Sequence, residues 1–228
     1  MQHSASFAGE AGTPHRSVAT PPDARTVYVV DDEPLVRTSL KGLFRSMGLE
    51  VCDFGATEDF LAAPKAPGPA CLVLDVRLRG ESGLAFQQSL ANSGLARLPV
   101  IIMTGHGDIA MTVRAMKAGA RDFFEKPFRE QDMIDAVVGA LDADARRLAA
   151  ERSLDGLRDC WAQVSPRERE VLRHVAAGRL NKQIAGEMGI AEITAKIHRG
   201  QGMRKMRSRS VAELVRKMQA LGVLPEVG

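Results

Sequence analysis

VYVVDD (residues 27–32), CLVLD (71–75), VIIMT (100–104) and RDFFEK (121–126) decide the fold. Each is a short apolar run that ends on a reactive side chain: Asp31 and Asp32, Asp75, Thr104 and Lys126. Such runs read as buried parallel strands, and open α/β sheets gather their ligands beyond the carboxyl ends of those strands. Three carboxylates, one hydroxyl and one ammonium are therefore expected in a single crevice. That set suits a divalent cation, a phosphoryl group and a nucleophilic aspartate.

Outward from these runs, strand and helix patterns alternate every ten to fifteen residues or so, which predicts βαβ units around a parallel sheet. A helix opened by Pro34 places Val36, Leu40, Leu43, Phe44 and Met47 on one face and stops at Gly48. LEVCDF (49–54) is a further strand, and Thr57 is expected to cap the short helix that follows. SGLAFQQSL (82–90) and DIAMTVRAMKAG (108–119) supply two more helices. A fifth, from about Glu130, carries Ile134, Val138, Leu141, Ala145 and Leu148 as an apolar stripe running toward a second domain.

The 228 residues suffice for about two domains. An apolar share of 45% with 26% charged residues fits a globular chain. No apolar stretch reaches the ~18 residues of a membrane span, and no secretory signal pattern is present, so a cytoplasmic protein without membrane association is expected. Cys52, Cys71 and Cys160 form no CxxC and predict neither a disulfide framework nor a zinc site. Residues 1–25, rich in Ala, Ser, Gly, Thr and Pro, read as a flexible tail. The charge is unevenly divided: residues 26–148 hold 14 Lys+Arg against 17 Asp+Glu, whereas 149–228 hold 15 against 9. An acidic front and a basic back suggest a cation site in one and a polyanion partner for the other.

Magnesium takes oxygen ligands and retains several waters, so a few carboxylates at one rim can hold it. Asp32 and Asp75 are the direct-ligand candidates, with Asp31 acting directly or through water. Crowding three carboxylates is unfavourable unless a cation offsets them. An aspartate can attack phosphorus to form an acyl phosphate, with Lys126 and Thr104 engaging two phosphoryl oxygens; Asp75 is the residue left to attack.

At this point VYVVDDEP, LVLDVRLRGESGL and VIIMTGHGDIAMTVRAMKAGARDFFEKPF resemble the receiver domain of two-component response regulators, over about Thr26 to Leu148. The resemblance implies a flavodoxin-like, doubly wound five-stranded parallel sheet of order 2-1-3-4-5. It maps Asp75 to the phosphoacceptor, Asp31 and Asp32 to the acidic pair, and Thr104 and Phe123 to the switch hydroxyl and aromatic. Lys126 corresponds to the invariant lysine, and the Arg77 carbonyl to a Mg²⁺ ligand beside Asp31, Asp32 and Asp75. A cis bond before Pro127 and a sensor histidine kinase as partner are implied as well. His106, between two glycines, reads as an exposed loop residue without a role.

Residues 163–228 turn all-helical: about Pro166 to Ala177, Asn181 to Met188, a third helix from Glu192, and Ser210 to Leu221. Between Arg179 and Lys217 there are ten Lys+Arg and three Asp+Glu, the electrostatic footprint of a nucleic-acid binder. The segment VSPREREVLRHVAAGRLNKQIAGEMGIAEITAKIHRGQGMRKM resembles the LuxR-type helix-turn-helix of FixJ- and NarL-like regulators. That resemblance implies double-stranded DNA as partner, a core of Ile184, Ala185, Met188, Ile190, Ala195 and Met206, and a recognition helix within Thr194 to Lys205. Lys196 and Ile197 become base-facing candidates, and Lys182 and Arg199 phosphate contacts. Lys205, Arg204 and Arg207 are further phosphate candidates, and His198 is expected to pack. Gly200 and Gly202 stand where larger residues are usual, at about 1 kcal/mol each. Ala191 replaces a capping hydroxyl, at ~1 kcal/mol. The recognition helix is therefore expected to fray when free.

The organisation expected is a tail (1–25), a receiver (26–148), a helical linker (149–163) and a four-helix DNA-binding domain (164–228). This chain would be phosphorylated on Asp75 and dimerise on DNA to regulate transcription, without being an enzyme. Two rivals stay open at the level of sequence: a stand-alone aspartyl-phosphate transferase acting on small esters, and an interaction module that senses without phosphorylation.

Overall fold

The computed structural model describes residues 24–78, 82–105 and 107–224. The expected tail, apart from Ala24 and Arg25, and His106 lie outside those residues. The chain divides into two units, Met1–Asp144 and Ala145–Gly228.

In the first unit, β1 (Thr26–Val30), β2 (Glu50–Phe54), β3 (Ala70–Asp75), β4 (Val100–Thr104) and β5 (Asp122–Glu125) form one parallel sheet of order β2-β1-β3-β4-β5. The central strands β1, β3 and β4 are buried along their whole length because both faces of the sheet are covered, whereas the edge strands β2 and β5 carry charged and partly exposed residues. Alternate residues serve opposite faces. Val27, Val29, Val73, Ile101 and Met103 pack with Leu40 and Phe44 of α1 (Pro34–Ser46) and with Met133, Val137 and Leu141 of α5 (Glu130–Ala162). Tyr28, Val30, Leu72, Leu74 and Ile102 pack with Phe60 of α2 (Thr57–Ala62), Phe86 and Leu90 of α3 (Gly83–Leu90) and Ala115 of α4 (Ile109–Lys117).

Three details differ from the expectations. Thr57 is the first helical residue of α2, and the cap is Ala56, which offers no side-chain hydrogen bond. On α1, Met47 sits at the C-cap and is 40% exposed, outside the buried stripe. On α5 the buried stripe is Met133, Val137, Ala140, Leu141 and Asp144, one residue out of phase with the Ile134–Val138–Ala145 face. The apolar pairs Met133/Ile134 and Val137/Val138 let either phase look amphipathic, and contact with the sheet selects the first of each.

The second unit contains the remainder of α5 followed by α6 (Pro166–Ala176), α7 (Asn181–Met188), α8 (Glu192–Lys205) and α9 (Val211–Ala220). Its core joins Val171, Leu172 and Val175 of α6, Ile184 and Ala185 of α7, Ala195 and Met206, and Leu214 and Met218 of α9. Met188 and Ile190 pack against that core from a partly buried position. Gly189, at φ +64°, ends α7 in the left-handed conformation that glycine adopts without strain and so makes the tight turn into α8. None of the described helices is long and apolar enough to cross a membrane.

α8 is one continuous helix through both glycines. Gly202 has a packing reason: a Cβ there would lie 2.9 Å from Leu172 Cγ and 3.0 Å from each of its methyls, so the missing side chain is what lets α8 approach α6. At Gly200 a Cβ would meet only Arg204 Nη1, at 4.0 Å. The two substitutions should therefore have opposite signs. Gly200→Ala is expected to stabilise the helical unit by about 1 kcal/mol. Gly202→Ala should destabilise it, because overpacking typically costs about 1–3 kcal/mol against the same propensity gain. Urea unfolding followed by the fluorescence of Trp161, the single tryptophan, reads this unit selectively.

Candidate functional site

The parallel register brings the strand ends level. Val30 of β1 pairs with Leu74 of β3, so Asp31 and Asp75 follow side by side. Asp75 pairs with Met103 and Thr104 with Glu125, which sets Thr104 and Lys126 one residue further on along β4 and β5. The crevice opens at the carboxyl ends of β1 and β3, where the strand order reverses and ligands of such sheets bind.

Within it, Lys126 Nζ donates to Asp31 Oδ2 at 2.7 Å and lies 3.2 Å from Asp75 Oδ1. Asp31 is fully buried; its Oδ1 accepts the Glu33 amide at 2.8 Å, and its carbonyl accepts Arg37 Nη1 at 2.6 Å. The Arg77 amide donates to Asp75 Oδ2 at 3.1 Å, which holds the backbone of Arg77 at the crevice. Asp31, Asp32 and Asp75 each offer an oxygen within 4.8 Å of the others. Thr104 is fully buried at the end of β4, and its carbonyl accepts the Lys126 amide at 2.7 Å. Phe123 is half-buried; a Cβ at Gly107 would lie 3.2 Å from its ring and 3.4 Å from Thr104 Cγ2, so the three positions share one corner. The Lys126–Pro127 bond is cis.

Burial pushes the Asp75 carboxyl above its usual range, and the charge of Asp31 adds to that against the opposing pull of Lys126. For Lys126 burial works downward, but the hydrogen bond and charge of Asp31, with the charge of Asp75, outweigh it and hold the ammonium above its ordinary value. Lys126 is the ammonium that reaches Asp31 and Asp75, and Asp75 Oδ1, 3.2 Å from it, is buried with no other hydrogen-bond donor on it among the described residues. Three carboxylates with hard oxygen donors this close together fit a small divalent cation.

Gly83 is a determinant that sequence reasoning missed. A Cβ there would fall 2.1 Å from the Asp75 carbonyl oxygen, and the Gly83 amide donates to the Val76 carbonyl at 2.8 Å. Only a glycine lets the start of α3 close over the loop that carries Asp75; its signal was a glycine directly after Ser82, where a helix opens.

On the helical unit, Lys182 and Lys196 are exposed, Ile197 is 49% exposed, and Thr194 is half-buried. Arg199 is half-buried and donates to Asn181 Oδ1 at 3.1 Å, tying α8 to the start of α7. Arg204 and Arg207 are exposed. His198 is half-buried with its Nδ1 buried and without a hydrogen-bond partner. Lys205 stands apart: its Nζ contacts both oxygens of Glu168, at 2.9 and 2.6 Å, an ion pair within the unit.

Glu168 is itself buried and closes a capping box with Ser165, accepting the Ser165 amide at 2.8 Å while Ser165 Oγ accepts the Glu168 amide at 3.3 Å. Burial pushes this carboxyl up, and the Lys205 ammonium with the Ser165 amide outweigh it, leaving it below its ordinary value of 4.5. A lowered folded value means stability that is complete above about pH 4.5 and lost as the pH falls through that lowered value. Glu168→Gln should remove this acid dependence and cost about 1.5–3 kcal/mol at neutral pH, the worth of hydrogen bonds to a charged group. Trp161-monitored unfolding from about pH 3 to about pH 7 checks both.

Two family models match the chain: the response regulator receiver domain over residues 27–138, and the bacterial regulatory proteins of the luxR family over residues 162–218. Nodulation protein W of Bradyrhizobium diazoefficiens is 51% identical over 197 residues, 86% of each chain. The transcriptional regulatory protein FixJ of Azorhizobium caulinodans is 40% identical over 204 residues, 90% of this chain and 96% of that one. Among solved structures, the response regulator StyR matches with a TM-score of 0.80 at 44% identity, covering 86% of this chain and 98% of its own.

Proposed function

Because the chain belongs to the response regulators that join a receiver domain to a LuxR-type DNA-binding domain, a family of two-component transcription regulators rather than enzymes, we propose that Asp75 accepts a phosphoryl group from a sensor histidine kinase and thereby controls DNA binding. The observation that carries the reading is the level placement of Asp31, Asp75 and Lys126, with one ammonium bridging two buried carboxylates.

Asp31, Asp32 and Asp75, with the carbonyl of Arg77, would hold a Mg²⁺ ion, which when bound neutralises charge on a phosphoryl oxygen. The remaining work falls to the chain's own groups. A carboxylate oxygen of Asp75 attacks phosphorus as the phosphorus–nitrogen bond of the kinase phosphohistidine breaks. Lys126 moves its hydrogen bonds from the carboxylates to one phosphoryl oxygen, and the Thr104 hydroxyl donates to another.

The phosphoryl group brings about −1.5 to −2 charges into a buried corner. Thr104 shifts toward it, and Phe123, already beside Thr104 at Gly107, turns into the space released. That reshapes the surface of α4 and β5, where Ile109, Val113 and Met116 are exposed at 85, 44 and 46%. Burying these residues against a second copy supplies the drive for a dimer, which presents two α8 helices to a two-fold DNA site. Lys196 and Ile197 then face base edges from the major groove, with Thr194 beside them, and Lys182 and Arg199 contact phosphates.

Incubation with acetyl phosphate and Mg²⁺ should add a labile mass of about 80 Da to the wild type and none to Asp75→Asn. Sedimentation of the phosphorylated chain should shift from monomer to dimer. A chain left unmodified by both acetyl phosphate and its kinase would overturn the phosphoacceptor assignment, and a modified chain that stays monomeric would overturn dimerisation alone. On DNA, Lys182→Ala should lower the slope of log affinity against log salt by about one unit.

A further inference from the structure

Ile193, Ile197, Gly200 and Arg204 are spaced by four, three and four residues, so they form one straight row along α8. The opposite side of the helix is occupied by the core, through Ala195, Gly202 and Met206. The row itself carries two large aliphatic side chains in solvent, Ile193 at 62% and Ile197 at 49% exposure, one helical turn apart. Single exposed aliphatics need no explanation, but two in register on a helix flanked by Lys196 and Arg204 form an apolar strip inside a basic surface.

The surrounding charge, ten Lys+Arg against three Asp+Glu from Arg179 to Lys217, selects a polyanion as the occupant of this face. In the major groove of duplex DNA the apolar group on offer is the 5-methyl of thymine. An isoleucine in a helix is almost confined to one χ1 rotamer, so it loses little freedom on docking against such a methyl. Gly200 continues the row with no side chain, so the next group along it after Ile197 is the Arg204 guanidinium, 4.0 Å from where a Cβ at Gly200 would lie.

We propose that α8 reads thymine: Ile193 and Ile197 pack on the 5-methyl groups of two thymines in each half-site, which gives Ile193 a base-reading role beside Ile197. The inference rests on the DNA-binding reading above and adds the identity of the bases.

The test starts from duplexes selected out of a random pool by the full-length chain, with and without acetyl phosphate. In the selected half-site each thymine is replaced singly by deoxyuridine, which pairs identically and lacks only the methyl. Affinity is read by fluorescence anisotropy at one salt concentration. Replacement at two positions should weaken wild-type binding by about fourfold each, the worth of one buried methyl. Ile193→Ala should bind thymine and deoxyuridine equally at one of those positions, and Ile197→Ala at the other. Both side chains are exposed, so unchanged Trp161-monitored stability verifies that the variants are folded. Wild-type affinity indifferent to deoxyuridine everywhere, or a thymine preference that survives in both variants, would overturn the inference while leaving DNA binding intact. A pool that yields no preferred sequence would overturn sequence-specific binding and this inference together.

Discussion

The bridge from Lys126 to Asp31 and Asp75 is the constraint on which the receiver unit's chemistry depends. Two carboxylates that emerge side by side from β1 and β3 repel one another, and two unit charges about 4 Å apart interact by about 4 kcal/mol at an effective dielectric of about 20. Burial adds to the difficulty, which is why Asp75 is held above its usual range. The ammonium offsets part of the charge that Asp31 and Asp75 bring together. Arg37 and the Glu33 amide grip Asp31 from behind, so the aspartate that Lys126 binds most closely is also the one with least freedom to move away. A crevice strained in this manner favours whatever brings positive charge to it, and it responds when an incoming phosphoryl group takes the lysine away.

Sheet geometry delivers those groups, and it is the part of the fold most legible in the sequence. In a parallel sheet buried on both faces the strands are bounded apolar runs, and the residue that ends each run lies at the same rim. Asp31, Asp75, Thr104 and Lys126 could therefore be assigned to one place before any contact was known. Helix phase was less legible. Each residue turns a helix by 100°, and α5 carries apolar pairs at 133/134 and 137/138, so its stripe depended on which member met β1, β3 and β4. Thr57 illustrates the same limit at a helix end, where a hydroxyl one residue inside the first turn looks in sequence like the cap.

Contacts between elements far apart in sequence were the least legible. Lys205 counts as one more positive charge until Glu168, 37 residues earlier, is seen to hold it with two oxygens. Gly83 is an ordinary turn glycine until the Asp75 carbonyl is found where its Cβ would be. In each case local composition describes what the residue is able to do, and the partner decides which option is used.

α8 draws these threads together. Judged alone it is a poor helix, with Ala191 supplying no cap and two glycines in its final turns. Isolated helices of its length are marginal in water even with good formers, so its order must come from packing. Gly202 and Gly200 are two residues apart and thus about 200° apart around the axis, one against Leu172 and the other in the outward row. The first glycine weakens the helix locally and brings it close enough to α6 for Ala195 and Met206 to be buried; the second weakens it without any inward return. A residue kept at local cost with no packing gain is best explained by the surface it clears, and that surface is the one from which Ile193 and Ile197 project.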